Sequence, residues 1–391
     1  MKAKKIIKNI FITFGFIVVA ATILIVAVYR NEISSLSSIK EIMPEDPSHD
    51  DGVVLTMDVK GDYYMDELME QGGVKSDKEL IEFATKNLTK GLFDLSIEES
   101  NISCSSFTAR TKNKDNLFAR NYDMKKTHIA IIHTAPKGKY RSVSTVDLSF
   151  LGIKPTDDPE KFAKKINMLA APYTPLDGIN EKGVAVGIYM SYQGPGDEDY
   201  PTDINTDKKD IISTLLLRLI LGNASNVDEA IEIAKSYDMH DSAGSSFHYM
   251  VADSSGRSVV LEYLGKSDKT DTDGSKRELK IIKNDLNKDN KGQVITNFVL
   301  HDGYYEKDDK KFGLDRYDLL EDRLNKASYT LANEEEAMQL LKKVARRSWD
   351  NDDSNTITTH SVVYNLEKKQ SYLVANEHFG VEEYVYRYKF E

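Results

Sequence analysis

Apolar and polar positions divide the chain into segments, and the first clear pattern is an apolar run near the N-terminus. Residues 10–29 carry no charged side chain and follow four lysines within the first eight residues. A run of about 20 apolar residues is long enough to cross a bilayer as a helix, and preceding lysines favour a cytoplasmic N-terminus. We therefore expect residues 1–30 to be a single-pass cell-membrane anchor that leaves the rest extracytoplasmic. A cleaved signal peptide, giving a secreted protein, is the alternative.

The two segments that follow differ in pattern. Residues 31–52 are polar and contain two prolines, which predicts a linker. Residues 53–103 combine a weakly alternating strand with helical patterns, and Ser76 with Glu79 forms a capping box ahead of an apolar helix face. We therefore predict a small α/β segment at 53–103, in front of a domain at 104–391.

A β-hairpin is predicted from Cys104 to Asp123. Strand alternation from Cys104 is followed by turn residues at 113–116 and by a return strand. Folding back brings Arg120 and Asp123 close to Cys104, the only cysteine. A cation favours the reactive thiolate, and a carboxylate can orient the attacking group or its proton acceptor. From residue types alone, a buried structural cysteine beside a surface Arg–Asp pair is the simpler interpretation.

The remaining pattern mixes strand pairs with helices, which predicts an α+β layered architecture. Residues 180–183 form a turn between two strands, and residues 191–206 form a loop that could wall a pocket. Helices are predicted at residues 210–221, 226–237, 315–326 and 333–347.

Composition narrows the functional classes. The net charge of −11 argues against nucleic acid as a partner, because phosphate binding needs a basic surface. A single cysteine excludes an intrachain disulfide and a cysteine-rich zinc site.

The hairpin resembles the nucleophile hairpin of the choloylglycine hydrolase family of linear amide C–N hydrolases. This family includes bile salt hydrolases, penicillin V acylases and the related acid ceramidase group. Its pattern is a cysteine followed on the next strand by [G/A]-R-N-x-D, and Arg120 and Asp123 follow Cys104 by 16 and 19 positions, as in the family. The resemblance implies an N-terminal-nucleophile (Ntn) hydrolase fold over residues 104–391, an αββα sandwich of two antiparallel sheets between helix layers.

Further segments resemble family motifs. The run from Asp177 is similar to D-G-x-N-E-K-G, and its strand places Met190 where the family supplies a backbone N–H to the oxyanion hole. Asn297 matches the family's T-N pair, which implies a side-chain oxyanion donor, and Arg316 matches an active-site arginine. Alone, Asn297 would be a turn former and Arg316 a surface helix residue. His248 lies in a family-like segment, and we interpret it as structural.

The resemblance also implies a mechanism. An Ntn enzyme uses the free α-amine of its nucleophile as general base, so the Ser103–Cys104 bond must first be cut by the chain itself. Residues 53–103 then become propeptide-like. The implied reaction is hydrolysis of a small-molecule N-acyl amide without metal or cofactor. A non-catalytic binding or sensor protein on the same fold and an N-acyltransferase are the alternatives. The acyl group and a homo-oligomeric state stay open.

Overall fold

Two large β-sheets stacked between helices form the protein. The computed structural model describes residues 2–49, 51–96, 103–193, 204–242, 245–265, 277–286, 292–348 and 357–391. The helices are α1 (Lys2–Val28), α2 (Arg30–Ser38), α3 (Met65–Glu70), α4 (Asp77–Leu88), α5 (Phe162–Asn167), α6 (Ser213–Asn223), α7 (Val227–Lys235), α8 (Leu314–Lys326) and α9 (Glu334–Lys343).

The strands follow the same chain order. They are β1 (Lys40–Met43), β2 (Val54–Val59), β3 (Ser103–Thr111), β4 (Asn116–Met124), β5 (Ile129–Thr134), β6 (Ser142–Asp147), β7 (Asp177–Asn180), β8 (Ala185–Met190), β9 (Lys209–Ile212), β10 (Tyr237–His240), β11 (Phe247–Ala252), β12 (Ser258–Leu264), β13 (Glu278–Lys283), β14 (Val294–Ile295), β15 (Thr330–Leu331), β16 (Ile357–Asn365), β17 (Gln370–Ala375) and β18 (Val385–Lys389).

The first sheet has the order β1-β2-β5-β6-β7-β8-β11-β12-β13, and the second has the order β14-β3-β4-β16-β17-β18 with β15 beside β3. Within these two sheets, neighbouring strands are antiparallel except for β2 with β5 and β15 with β3, and β9 pairs in parallel with β10 in a separate two-stranded sheet. Every residue of β6, β8, β11, β12 and β16 is buried, as expected for strands covered on both faces. Helix α6 packs on the first sheet, and α8 and α9 pack on the second. The predicted α+β class and αββα layering are confirmed.

The apolar N-terminal run forms the long helix α1. Its stretch Asn9–Val28 has a mean hydropathy of 2.8, and none of it is buried in the protein. The helix is long and apolar enough to cross a membrane, and a signal sequence can meet the same length and hydropathy criterion.

Residues 31–52 differ from the predicted linker, because they form α2 and β1. Glu32 and Ser35 are buried there. The hydroxyl of Tyr64 donates to the Glu32 carboxylate at 3.3 Å, and Ser35 donates to the carbonyl of Asn31 at 3.0 Å. Polar composition concealed this packed segment, since its polar side chains find partners inside the fold.

The segment before the hairpin contributes an interior strand. Strand β2 lies between β1 and β5 in the first sheet, and its Val54, Leu55 and Met57 are fully buried. Helix α4 begins as predicted, with the Ser76 hydroxyl accepting the N–H of Glu79. This segment is therefore packed into the same sheet as the strands that follow the hairpin.

Candidate active site

The predicted hairpin is present as β3 and β4, and its register decides which side chains meet. Cys104 pairs with Tyr122, and Ser106 pairs with Arg120. Paired residues point to the same face, and successive residues alternate. The thiol of Cys104 and the guanidinium of Arg120 therefore share one face, which looks toward the first sheet at Ile188.

Arg120 holds the thiol on this inward face. Its Nη2 lies 3.3 Å from Sγ of Cys104 and donates to the carbonyl oxygen of Ile188 at 2.6 Å, while Nη1 donates to that of Leu176. Both side chains are fully buried. Burial raises the pKa of the Cys104 thiol to about 11, although the Arg120 charge works in the opposite direction. In this uncleaved chain the thiol is therefore protonated at neutral pH.

A buried network supports Arg120 from behind. Asp177 lies 3.6 Å from its Nε and accepts hydrogen bonds from His360 at 2.8 Å and Tyr364 at 2.6 Å. Burial alone would raise the pKa of Asp177, but the charge and hydrogen bond of His360 and the charge of Arg120 lower it to about 2. The ring of Tyr189 lies 4.7 Å from the guanidinium carbon.

Sequence reasoning missed this network. The sequence presents Asp177 only as the first residue of a motif that leads into a strand. His360 comes from β16, 183 positions further along the chain, so no local signal joined the two.

The other face of the hairpin surrounds the backbone of the cysteine. Ser103 pairs with Asp123, so both side chains point away from the thiol. Arg316 donates through Nη1 to the carbonyl oxygen of Cys104 at 2.7 Å and to Asp123 at 3.3 Å. The hydroxyl of Thr358 also donates to Asp123, at 2.6 Å. Arg316 is 1% exposed, so it is not a surface helix residue.

Asn297 joins this group through both ends of its amide. Its Oδ1 accepts from the N–H of Cys104 at 3.0 Å, from the hydroxyl of Ser103 at 3.0 Å and from Arg316 at 2.9 Å. Its Nδ2 donates to the carbonyl oxygen of Met190 at 3.0 Å. The amide therefore links the cysteine backbone to the end of β8.

The backbone of Met190 faces the same place. Met190 pairs with Phe247, and the neighbouring Ser191 donates its N–H to Ser246 at 3.0 Å. This pattern makes Met190 a non-hydrogen-bonded position of the ladder, where N–H and C=O both point away from β11. Since the carbonyl meets Asn297, the N–H of Met190 points to the side where Asn297 lies.

A buried Glu–His pair brackets Asn297. His248 lies 3.1 Å from Glu262 and 2.9 Å from the carbonyl oxygen of Thr296. Glu262 also accepts the N–H groups of Leu300 at 2.7 Å and His301 at 3.0 Å. The loop that carries Asn297 is thus fixed on both sides. His248 therefore has a structural role, and its partners lie on either side of Asn297 in the chain or bind the residues that do.

The seven predicted site residues therefore meet at the start of the hairpin. Cys104 and Arg120 lie on one face of the hairpin, and Ser103, Asp123 and Arg316 lie on the other. Asn297 and the Met190 backbone lie between these two groups. Of the predicted pocket loop, residues 194–203 lie outside the described part of the chain.

One group of side chains has the residue types of a metal site. The ligand atoms of His49, Asp51 and His378 lie within 4.8 Å of one another. However, Arg347 Nη1 lies 2.8 Å from Nδ1 of His49, and His378 already binds Asp51 at 2.6 Å. The cationic guanidinium stands where a metal cation would compete, so these residues do not fit a metal.

Comparison with known proteins bears on this hairpin. Residues 104–269 match the family model of linear amide C–N hydrolases, choloylglycine hydrolase family, and the match begins at Cys104. The predicted resemblance to the choloylglycine hydrolase family is confirmed over these residues. Because that family consists of linear amide C–N hydrolases, the prediction of an amide hydrolase is confirmed with it.

Solved structures resemble the chain at low identity. A mutant conjugated bile acid hydrolase of Clostridium perfringens is 18% identical, with a TM-score of 0.48 over 73% of this chain and 92% of its own. Penicillin V acylase of Agrobacterium tumefaciens is 17% identical, with 0.44 over 70% and 83%. A Caenorhabditis elegans N-acylethanolamine-hydrolyzing acid amidase is 13% identical, with 0.43 over 74% and 100%. Among curated proteins, none matches this chain.

Proposed function

We propose that Cys104 becomes the N-terminal nucleophile of an amidase that cuts the C–N bond of an N-acyl substrate. The observation that carries the proposal is that different polar side chains contact the sulfur and the backbone of one residue. Arg120 approaches its sulfur at 3.3 Å, while Asn297 and Arg316 bind its backbone N–H and C=O at 3.0 and 2.7 Å. A structural cysteine needs no such set of polar groups at both its sulfur and its backbone.

The first step is cleavage of the chain at Ser103–Cys104. The Cys104 thiol attacks the carbonyl carbon of Ser103, its proton passes to the departing nitrogen, the peptide C–N bond breaks and a thioester forms. Water then hydrolyses the thioester, which leaves a carboxylate on Ser103 and a free α-amine on Cys104. That amine has an ordinary pKa of about 7.7–8.0, so it can exchange protons near neutral pH.

Turnover repeats this chemistry on an external amide. The Cys104 thiol gives its proton to the α-amine and attacks the substrate carbonyl, and the protonated amine then supplies that proton to the leaving nitrogen. Asp123 orients the α-amine, and Arg120 stabilises the thiolate. The Met190 N–H and the second Nδ2 hydrogen of Asn297, beside the one that Met190 accepts, stabilise the oxyanion, while Arg316 holds Asp123 and the cysteine backbone. Water releases the acid and restores the thiol.

We also infer that the cut N-terminal piece stays bound. Strands β1 and β2 belong to the first sheet, and the side chain of Asn376 donates to the carbonyl oxygen of Gly52 at 2.9 Å. Residues 53–103 would then act as a propeptide inserted into the sheet. Residues 31–52 would connect it to the membrane, and residues 1–30 would anchor the extracytoplasmic domain there. The domain at 104–391 is held at the membrane by this pairing.

An assay of a panel of N-acyl amides tests the proposal. Release of the free amine is measured for wild type, Cys104→Ala and Ser105→Ala. The Ser105 hydroxyl is buried without a hydrogen-bond partner among the described residues, so Ser105→Ala is a matched neighbour. We expect loss of activity only in Cys104→Ala, and full activity in that variant would refute the proposal. Added competing amines distinguish hydrolysis from acyl transfer.

A further inference from the structure

A second polar site lies away from the cysteine, near the C-terminal end of the apolar helix α1. A cavity of about 480 Å³ opens between α6, the β5–β6 turn and the segment after β2. Its lining includes Asn31 and four basic side chains, Lys60, Lys137, Lys139 and Arg218. Nothing in the amidase chemistry uses these residues.

Arg218 is a buried cation with neutral partners. It is 1% exposed, and it donates to the carbonyl oxygen of Pro172 at 2.7 Å and to the hydroxyls of Thr134, Ser142 and Ser144 at 2.9 to 3.1 Å. Within the described ranges, only neutral groups act on this guanidinium, and no carboxylate forms an ion pair with it. Removing an ion from water costs several kcal/mol unless an opposite charge compensates. The burial accordingly lowers the pKa of Arg218.

The rim adds further positive charge. Lys60 and Lys137 have no ion-pair partner within the residues that the structure describes. Lys139 pairs with Asp66 at 2.7 Å, and Asp62 is the other carboxylate of the lining. Four cations thus face two carboxylates, in a chain whose total charge is −11. This local excess of two positive charges suits one phosphate group.

The position of the cavity indicates where the phosphate comes from. Helix α1 ends at Val28, and Asn31 on the cavity rim is only three residues further along. At about 1.5 Å per helical residue the rim lies about 5 Å beyond the apolar helix, within the headgroup layer of a bilayer. The hydroxyl of Tyr29 donates to the carbonyl oxygen of Thr89 at 3.2 Å, which ties this helix end to the body.

We propose that this cavity binds the phosphate group of a membrane phospholipid through Lys60, Lys137, Lys139 and Arg218. The lipid occupant rests on the proposed anchoring by α1, whereas the anion site itself does not. Binding there would fix the height and orientation of the catalytic body over the bilayer. A single anchoring helix by itself would leave the catalytic body free to rotate about the axis of that helix.

Native mass spectrometry of the full-length protein in detergent, with added phosphatidylglycerol, tests the proposal. The rim variant Lys60→Gln/Lys137→Gln is compared with Lys307→Gln/Lys343→Gln, which removes two exposed lysines elsewhere. Arg218 is left intact, because it also joins β5 and β6. We expect wild type and the control to retain one lipid, and the rim variant to bind it about 10-fold to 30-fold more weakly. A parallel arm measures thermal unfolding with inorganic phosphate.

The outcomes separate the two sources of phosphate. Equal lipid retention by the rim variant and the control would overturn the site. Stabilisation of wild type by inorganic phosphate without lipid retention would overturn the lipid occupant and assign the cavity to a soluble phosphate ester. Neither readout uses amidase activity, so failure of the proposed reaction leaves this test valid. The particle mass also reports whether residues 1–30 are still attached.

Discussion

Nη2 of Arg120 lies 3.3 Å from Sγ of Cys104 on the inward face of the hairpin. A second arginine, Arg316, contacts the carbonyl oxygen of the same cysteine at 2.7 Å from the other face. The two cations therefore act on different atoms. The first bears on the charge state of the sulfur, and the second bears on the position of the backbone and of Asp123.

Replacing Arg120 by lysine should impair the chemical step. A lysine has one point charge and cannot reach Sγ, the Ile188 carbonyl and the Leu176 carbonyl together, as the planar guanidinium does. We expect kcat to fall by about 10²-fold, the scale of a lost general-acid–base or charge contribution. Steady-state kinetics of Arg120→Lys beside the exposed control Arg110→Lys measures this, and an unchanged kcat contradicts the assigned role.

Removing the Asn297 amide should slow catalysis more than it weakens binding. Loss of one oxyanion donor costs on the order of 10²–10³ in kcat. Asn297→Ala should therefore lower kcat strongly with little change in KM. It should also slow cleavage at Cys104, because Oδ1 now binds the N–H of that residue at 3.0 Å. Asn223→Ala, which changes a helix-end amide, serves as the control. A change confined to KM would assign Asn297 to substrate binding instead.

The Glu262–His248 pair should act through the position of Asn297. Glu262→Ala leaves the N–H groups of Leu300 and His301 without their acceptors, whereas Glu262→Gln keeps an acceptor oxygen for one of the two. For folded enzyme we expect a lowered kcat in the alanine variant and a partial recovery of kcat in the glutamine variant. If both variants lose stability equally and keep the wild-type kcat, the pair is merely structural.

Asp177 should stabilise the fold in a pH-dependent way. Its pKa is lowered from 3.8 to about 2 in the folded protein. Burial by itself raises this pKa, but His360 and Arg120 lower it by a larger amount. Its contribution is therefore present above pH 4 and is lost as the pH falls from about 4 toward 2. A shift of this size corresponds to about 2 kcal/mol.

Urea unfolding of wild type and Asp177→Asn between pH 3 and pH 6 measures this contribution. The gap in unfolding free energy should be constant near pH 6 and should shrink below pH 4. Taking the difference between the two proteins removes the effect of the other carboxylates. A gap that widens on acidification would show that Asp177 is protonated in the folded state.

How much the sequence could reveal depended on the range of the interactions. The hairpin with Cys104, Arg120 and Asp123 is local, and alternation with turn residues predicted it correctly. Asp177 and His360 meet only when the sheets stack, so their pairing left no periodic signal.

Two local misjudgements have physical causes. The helix predicted at 210–221 begins only at Ser213, because Lys209–Ile212 pairs with β10, and a short apolar run does not distinguish strand from helix. The polar composition of residues 31–52 predicts a linker, but polar side chains such as Glu32 are buried there and bind partners that are distant in sequence.

Intact-mass analysis of the purified protein tests the central claim most directly. A nucleophile that owns a free α-amine requires a chain that begins at Cys104. We predict two co-purifying polypeptides in wild type, one of which starts at Cys104, and a single uncut chain in Cys104→Ala. An uncut chain of 44.2 kDa that nevertheless hydrolyses N-acyl amides would contradict the account.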